Sequence, residues 1–197
     1  MTGAPARLRA AAFDVLMIVL GGAITAGLVH IVAILIIPLY ASNDAFARLS
    51  QLAPVNKTVL LPEANGAARL FPYADPAVAA AFCRYDLRDG PVRVKAPIAR
   101  YEFSSLSFHT RRGAIFYALT DRAATQNALD ALVVTEKQLR TISARDSEDE
   151  PTRDLRIVSS TDEGFVLMRS FSQSPSQLAD AEARVSALKC QPEAMPP

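Results

Sequence analysis

His109, Asp121 and Arg122 are the side chains in this sequence best suited to moving a proton or holding an anion. His109 stands two residues before the Arg111-Arg112 pair in the polar stretch HTRRG, and a histidine beside two arginines can bind an anion or act as an acid or base. Asp121-Arg122 follows Phe116-Tyr117-Ala118-Leu119, where an acid and a cation beside an aromatic strand can line a small pocket. Each has a plainer reading that outweighs it: a solvated hairpin tip for the first, and a structural ion pair or loop cap for the second. Asp86 and Asp89 are explained by strand-end capping and turn chemistry. Ser104, Ser105 and Ser107 lack a Gly-x-Ser-x-Gly elbow and a matched His/Asp context. His30 and His109 are the two histidines, without the paired spacing of a metal site, so no metal is expected. There is no phosphate-cradling Gly-rich loop and no dinucleotide fingerprint, so no cofactor is expected either.

Cys83 and Cys190 are the only thiols. In an oxidising compartment a disulfide between them is the favoured reading, and two free buried cysteines the alternative. Closing a loop of about 107 residues would constrain the unfolded chain by up to ~4–5 kcal/mol.

The elements that position these groups begin with an anchor. Val15 to Ile37, VLMIVLGGAITAGLVHIVAILII, is a run of 23 residues with no formal charge and no proline. As a helix at ~1.5 Å per residue it reaches about 35 Å, enough to cross a hydrocarbon core of roughly 30 Å with some tilt. A cleaved signal peptide has a shorter apolar region, about 7–15 residues, so a retained anchor is the favoured reading. Arg7 and Arg9 precede the span and the first basic residue after it is Arg48, which places the N-terminus inside by the positive-inside rule. Within the span, Gly22 and Ala26 are four apart, as are Ala23 and Gly27, a spacing that admits close approach of another helix. His30 is the one ionisable group in the run, eight residues before Pro38 and near the outer interface.

The remainder has the composition of a neutral globular domain. Of the 21 bases and 20 acids, only Arg7, Arg9 and Asp14 precede residue 41, so residues 41–197 carry 19 of each sign. That balance gives no reason to expect nucleic acid as a partner. Ser42–Leu52 reads as a short helix capped by Ser42 or Asn43, and Asp75-Pro76 as the start of another running to Phe82. Cys83–Leu87 and Val92–Lys95 flank Arg88-Asp89-Gly90-Pro91 as a hairpin. Arg100–Phe108 and Ala114–Ala118 flank a second polar turn, Ala131–Val134 is a short strand, and Glu136–Ile142 is one or two helical turns. Ser143–Asp154 is a charged loop. Leu155–Ser159 and Gly164–Phe171 read as strands of a third hairpin, and a C-terminal helix runs from Ser174-Pro175 to about Lys189-Cys190.

The stretches CRYDLRDGPVRVKAP, YEFSSLSFHTRRGAIFYALTDRAA and DEGFVLMRSF resemble the domain of unknown function 1254 family, in particular its short alphaproteobacterial members with one membrane span. Members commonly carry Cys-Arg-Tyr/Phe-Asp-Leu, Gly-Pro before a strand, a Trp-Ser strand and Asn-Asp-Arg. Here Glu102-Phe103-Ser104 stands at the Trp-Ser position and Thr120 replaces the Asn before Asp121-Arg122. The resemblance implies a β-rich, jelly-roll-like domain and brings no established activity or catalytic residues.

The expected fold class is therefore α+β, mainly β: an N-terminal transmembrane helix and a β-rich domain, jelly-roll-like or sandwich, with a C-terminal helix. The expected organisation is a cytoplasmic N-terminus over 1–14, the span over 15–37, a connector over 38–74, the β-rich domain over 75–190 and a tail over 191–197. The favoured function is a non-catalytic accessory or binding module held in the bacterial periplasm by the inner membrane. Its expected partners are the bilayer and a membrane or periplasmic protein, with homodimerisation through Gly22 and Ala26 as a further possibility. The rival is an anchored envelope enzyme, hydrolase-like, in which His109, Asp121 and Arg122 form a pocket.

Overall fold

The computed structural model describes residues 4–40, 45–62, 75–99, 102–146 and 155–195. The expected caps Ser42 and Asn43, Arg100, the loop over 63–74 and the charged run over 147–154 lie outside these residues. The chain divides into two compact units, Met1–Ser42 and Asn43–Pro197.

The first unit is one helix, α1 (Ala4–Tyr40). Its stretch Ala10–Ile37 is 28 residues long, reaches a mean hydropathy of 2.4 and is long and apolar enough to cross a membrane. Apolar residues surround it on every side, unlike the single stripe of a helix that packs on a soluble core. The hydroxyl of Thr25 donates to the carbonyl of Gly21 at 2.9 Å, which returns a polar group of the apolar stretch to its own backbone.

The second unit holds two sheets around a shared core. The five-stranded sheet has the order β1 (Thr58–Leu60), β2 (Val78–Asp86), β8 (Glu163–Phe171), β4 (Ser104–Thr110), β5 (Ile115–Thr120), all antiparallel. The four-stranded sheet has the order β7 (Leu155–Val158), β6 (Ala128–Val134), β3 (Val92–Pro97), β9 (Lys189–Pro192), with β6 and β7 parallel. Ala81, Cys83, Tyr85, Leu106, Phe108, Val166 and Met168 of the first sheet meet Val92, Val94, Leu129, Ala131, Val133 and Ile157 of the second in one buried cluster. Helix α4 (Leu178–Ser186) adds Ala181 and Val185 to it. Helix α2 (Ala45–Leu52) lies on the outer face of the five-stranded sheet, where Phe46 and Leu49 cover Phe82, Phe165 and Leu167. Helix α3 (Glu136–Ser143) starts with a capping box between Thr135 and Gln138, and the Gln138 amide donates to the carbonyl of Leu87 at 2.7 Å.

Four local expectations change. The run after Pro76 is strand rather than helix, because β2 pairs along its whole length with β8 and is covered on both faces, a setting that overrides alanine's helical preference. The turn at Gly90, where φ is 140°, joins β2 to β3 in the other sheet instead of closing a hairpin. Thr161–Glu163 likewise carries the chain from β7 in one sheet to β8 in the other. The C-terminal helix stops at Ser186, and Lys189–Pro192 form a strand on β3. The hairpin β4–β5 forms as expected, with a bulge at Phe116 that turns its ring onto Phe108, 6.3 Å between centroids.

Cys83 and Cys190 form a disulfide with Cα atoms 6.5 Å apart. It joins β2 to β9, and so ties one sheet to the other across 107 residues of chain. A second lock lies at Tyr85, whose buried hydroxyl donates to the carbonyl of His109 at 3.1 Å with the Ser159 hydroxyl 3.2 Å away. Burial pushes the Tyr85 phenol up to about 12. Gly164 lies beneath this ring, and a Cβ there would overlap both the Tyr85 hydroxyl and the His109 carbonyl oxygen.

Gly164→Ala is expected to lower unfolding free energy by roughly 2–3 kcal/mol through overpacking, read by urea denaturation against wild type. Intact-mass analysis of the denatured, non-reduced protein should show no alkylation of Cys83 or Cys190, with both thiols appearing after reductant. Cys190→Ser should cost up to ~4–5 kcal/mol, the loop-closure value for a ring of this length.

Candidate functional site

Alternation along β4 sets Ser105, Ser107 and His109 on one face of the five-stranded sheet, the face that α2 covers in part. Ser107 stands opposite Leu167 of β8 and Ala118 of β5; His109 stands opposite Phe165 and Ile115. His109 therefore belongs to a strand and is buried, whereas the sequence pattern places it at a solvated tip; the tip itself is Arg111–Gly113.

Three contacts fix the imidazole. Its Nδ1 is 3.2 Å from the carbonyl oxygen of Gly113, and its Nε2 is 2.9 Å from the hydroxyl of Ser107. A carbonyl only accepts, so the proton sits on Nδ1, and the neutral ring presents a lone pair at Nε2 to Ser107. The ring also stacks on Phe165, with centroids 4.4 Å apart and planes 10° off parallel. Burial holds the imidazole pKa below its ordinary 6.5, and the charge of Arg169 acts in the same direction, against a raising contribution from the Gly113 carbonyl.

Phe165 continues the contact chain to α2. Its ring lies 6.5 Å from that of Phe46, and Phe46 in turn meets two guanidiniums, Arg84 at 5.0 Å and Arg111 at 5.2 Å. Arg84 also donates to the carbonyls of Ser50 and Ala53 at 3.3 and 3.2 Å, which caps the C-terminal end of α2.

The other candidates do not join His109. Asp121 and Arg122 form a single 3-10 turn after β5, at the end of the β4–β5 pair remote from the His109 turn, since Thr120 stands opposite Ser105. At ~3.3 Å per residue along a strand, about 13 Å separates the two levels. Glu102 pairs with Arg184 of α4, and Asp86 pairs with Arg88. The Arg88 guanidinium holds the Asp86 carboxyl below its usual range. Arg88 also reaches Glu163 at 2.7 Å, and Arg111 lies 3.6 Å from the same carboxylate. These groups edge a shallow, open cleft of about 350 Å³ lined by Arg88, Arg111, Arg112, Thr161, Asp162 and Glu163. Its charges are balanced, three cations against two acids and the neighbouring Asp86, so it has no net pull on an anion. Among the described residues no group of three His, Cys, Asp or Glu could hold a metal ion. The sequence reading sets Ser107 aside for want of a matched histidine; its i, i+2 spacing from His109 on a strand, which places both on one face, is the signal that joins them.

The family described as "Protein of unknown function (DUF1254)" matches residues 55–192, more than two thirds of the sequence. The chain belongs to this family. No curated protein matches it. The chain is similar in fold to the crystal structure of the VPA0106 protein from Vibrio parahaemolyticus, with a TM-score of 0.52 and 11% identity over 76% of this chain and 34% of that one. An uncharacterized protein from Burkholderia cenocepacia gives a TM-score of 0.44 and 11% identity over 81% of this chain and 46% of that one. This chain thus spans about a third of the length of the first protein and under half of the second. At this identity the Vibrio likeness is one of fold alone.

The depressed pKa of His109 has a signed consequence. The unfolded chain takes up a proton near 6.5 where the folded chain resists it, so stability is full above 6.5 and falls as the pH drops below that value. Asp86 and Asp146, whose carboxyls are held low by Arg88 and Arg156, contribute their own loss only near and below 3.8. Urea midpoints measured on both sides of pH 6.5 should show the first decline in wild type and a flatter profile in His109→Gln.

Proposed function

We propose that this protein is a single-pass inner-membrane protein, with residues 1–14 in the cytoplasm, the span over 15–37 and the remainder in the periplasm. In this reading 38–74 is the connector, 75–190 the working domain and 191–197 a tail. The domain serves as an accessory or binding module for a membrane or periplasmic partner, kept at high local concentration by its anchor. The observation that carries the reading is the Cys83–Cys190 disulfide in a chain that also has an apolar helix of 28 residues. Disulfides persist in oxidising compartments and are rare in the cytosol, so the bond supports an extracytoplasmic domain. Arg7 and Arg9 on one flank support the matching orientation. Gly22 and Ala26 offer a small-residue face for a second copy within the bilayer.

In cells producing the full chain with an epitope tag after Pro197, the tag should be removed by protease added to intact spheroplasts, and the protein should stay with the membrane through an alkaline carbonate wash. A tag protected until the inner membrane is opened, or protein released by carbonate, would overturn the reading.

A further inference from the structure

We propose that Ser107 is a nucleophile activated by His109, and that the outer face of the five-stranded sheet at this pair is an acyl-transfer site for small carboxylic esters. The assignment goes beyond the anchored-module reading and does not depend on which side of the membrane the domain occupies.

The geometry has the parts that such a step needs. A serine hydroxyl is a weak nucleophile until a base stands within hydrogen-bond reach, and Nε2 of His109 lies 2.9 Å from Oγ of Ser107. The base must be held in the correct tautomer by a third group; the Gly113 carbonyl at 3.2 Å from Nδ1 does this. Stacking on Phe165 fixes the ring plane. The base must be neutral before the reaction, and burial favours that state. Ser107 is itself buried, but its cross-strand neighbour Ala118 lies on the exposed edge strand β5, so an acyl group can approach from that edge. Arg169 stands opposite Ser105, next along the same face, and its cation can offset the charge of a tetrahedral intermediate. Asp121 and Arg122 take no part. The second acceptor near the hydroxyl, the Leu167 carbonyl, is more distant at 3.3 Å.

The chemistry balances without redox change. Oγ of Ser107 bonds to the acyl carbon as its proton passes to Nε2. The ester C–O bond breaks, and the departing alkoxide takes the proton from Nε2 and leaves as the alcohol. Water then attacks the acyl carbon, gives a proton to Nε2, and the Ser107 oxygen departs with that proton, releasing the carboxylic acid.

The test uses the full chain in detergent, with the disulfide intact, and a fluorophosphonate probe. Peptide mapping should find the adduct on Ser107, with Ser104 and Ser105 unmodified, and p-nitrophenyl acetate should compete. His109→Gln, with its fold checked by the thermal transition, should label at least ~100-fold more slowly, the low end of what a general base contributes. In wild type the labelling rate should rise with pH as the imidazole loses its proton and then level off, a readout that stands if the variant does not fold. An absence of adduct on Ser107 in folded wild type overturns the proposal. So does labelling of His109→Gln at the wild-type rate, or a wild-type rate that does not change with pH.

Discussion

Strand β2 lies between two apolar layers, and both must be in place for it to be covered. Ala79, Ala81, Cys83 and Tyr85 point into the core shared by the two sheets, while Ala80 and Phe82 point toward α2 on the other side. A strand exposed on one face would alternate apolar and polar residues; this one does not, because neither face meets water along most of its length. Ala79 and Ala81 let α4 approach the strand closely, since a larger side chain at either would hold the helix off the sheet. Cys83 sits at the middle of the strand and carries the covalent link to β9, so the same element that fills both layers also fixes the distance between the sheets. Tyr85, two residues on, reaches across Gly164 to the β4 backbone.

The outer layer is thin, and its chemistry differs from that of the inner core. A helix of eight residues covers Phe82, Phe165 and Leu167, and its Phe46 is gripped by Arg84 and Arg111. Cation–π contacts at partly or fully exposed cations such as these are worth about 0.5–1 kcal/mol each, which is substantial for so short a helix. Arg84 also supplies the donors that the last carbonyls of α2 lack, so one residue of β2 both caps and packs the helix. The polar end of this face begins where α2's apolar side chains give out, at Ser107, His109 and Arg169.

Much of this architecture was legible in the sequence, and the reason lies in which signals are local. The apolar helix, the β4–β5 hairpin, β6, α3, β8 and the start of the C-terminal helix follow from periodicity and turn residues that act over a few positions. The pairing of Cys83 with Cys190 followed from their being the only thiols. Residues 78–82 read as helix and form strand, because an alanine run carries the same local pattern in a buried helix and in a doubly covered strand. Gly90 and Thr161–Glu163 marked real turns, but a turn does not say whether the next strand joins the same sheet or the opposite one; that is settled by distant partners such as β9 and β6. The Ser107–His109 contact was hidden for a related reason. Serine on a strand and histidine before a basic turn each have an ordinary surface reading, and only the depth of β4 in the sheet shows that both are buried together.

That depth bears on what the pair is for. A buried hydroxyl and a buried imidazole that satisfy each other and nearby carbonyls cost the fold little, but they add less than apolar residues of the same size would, since a hydrogen bond contributes a net ~1 kcal/mol whereas a well-packed aliphatic side chain contributes about 1.5–3 kcal/mol. The neighbouring strand fills the equivalent positions with Phe165 and Leu167, so the site accepts apolar residues without difficulty. Nothing in the packing of the outer layer requires a base and a hydroxyl at adjacent positions of one strand face, and the Tyr85 lock uses only the backbone carbonyl of His109, which any residue would supply. Departure from the most stabilising choice at a site whose geometry is otherwise tightly held is the pattern expected where chemistry, rather than folding, sets the residue types.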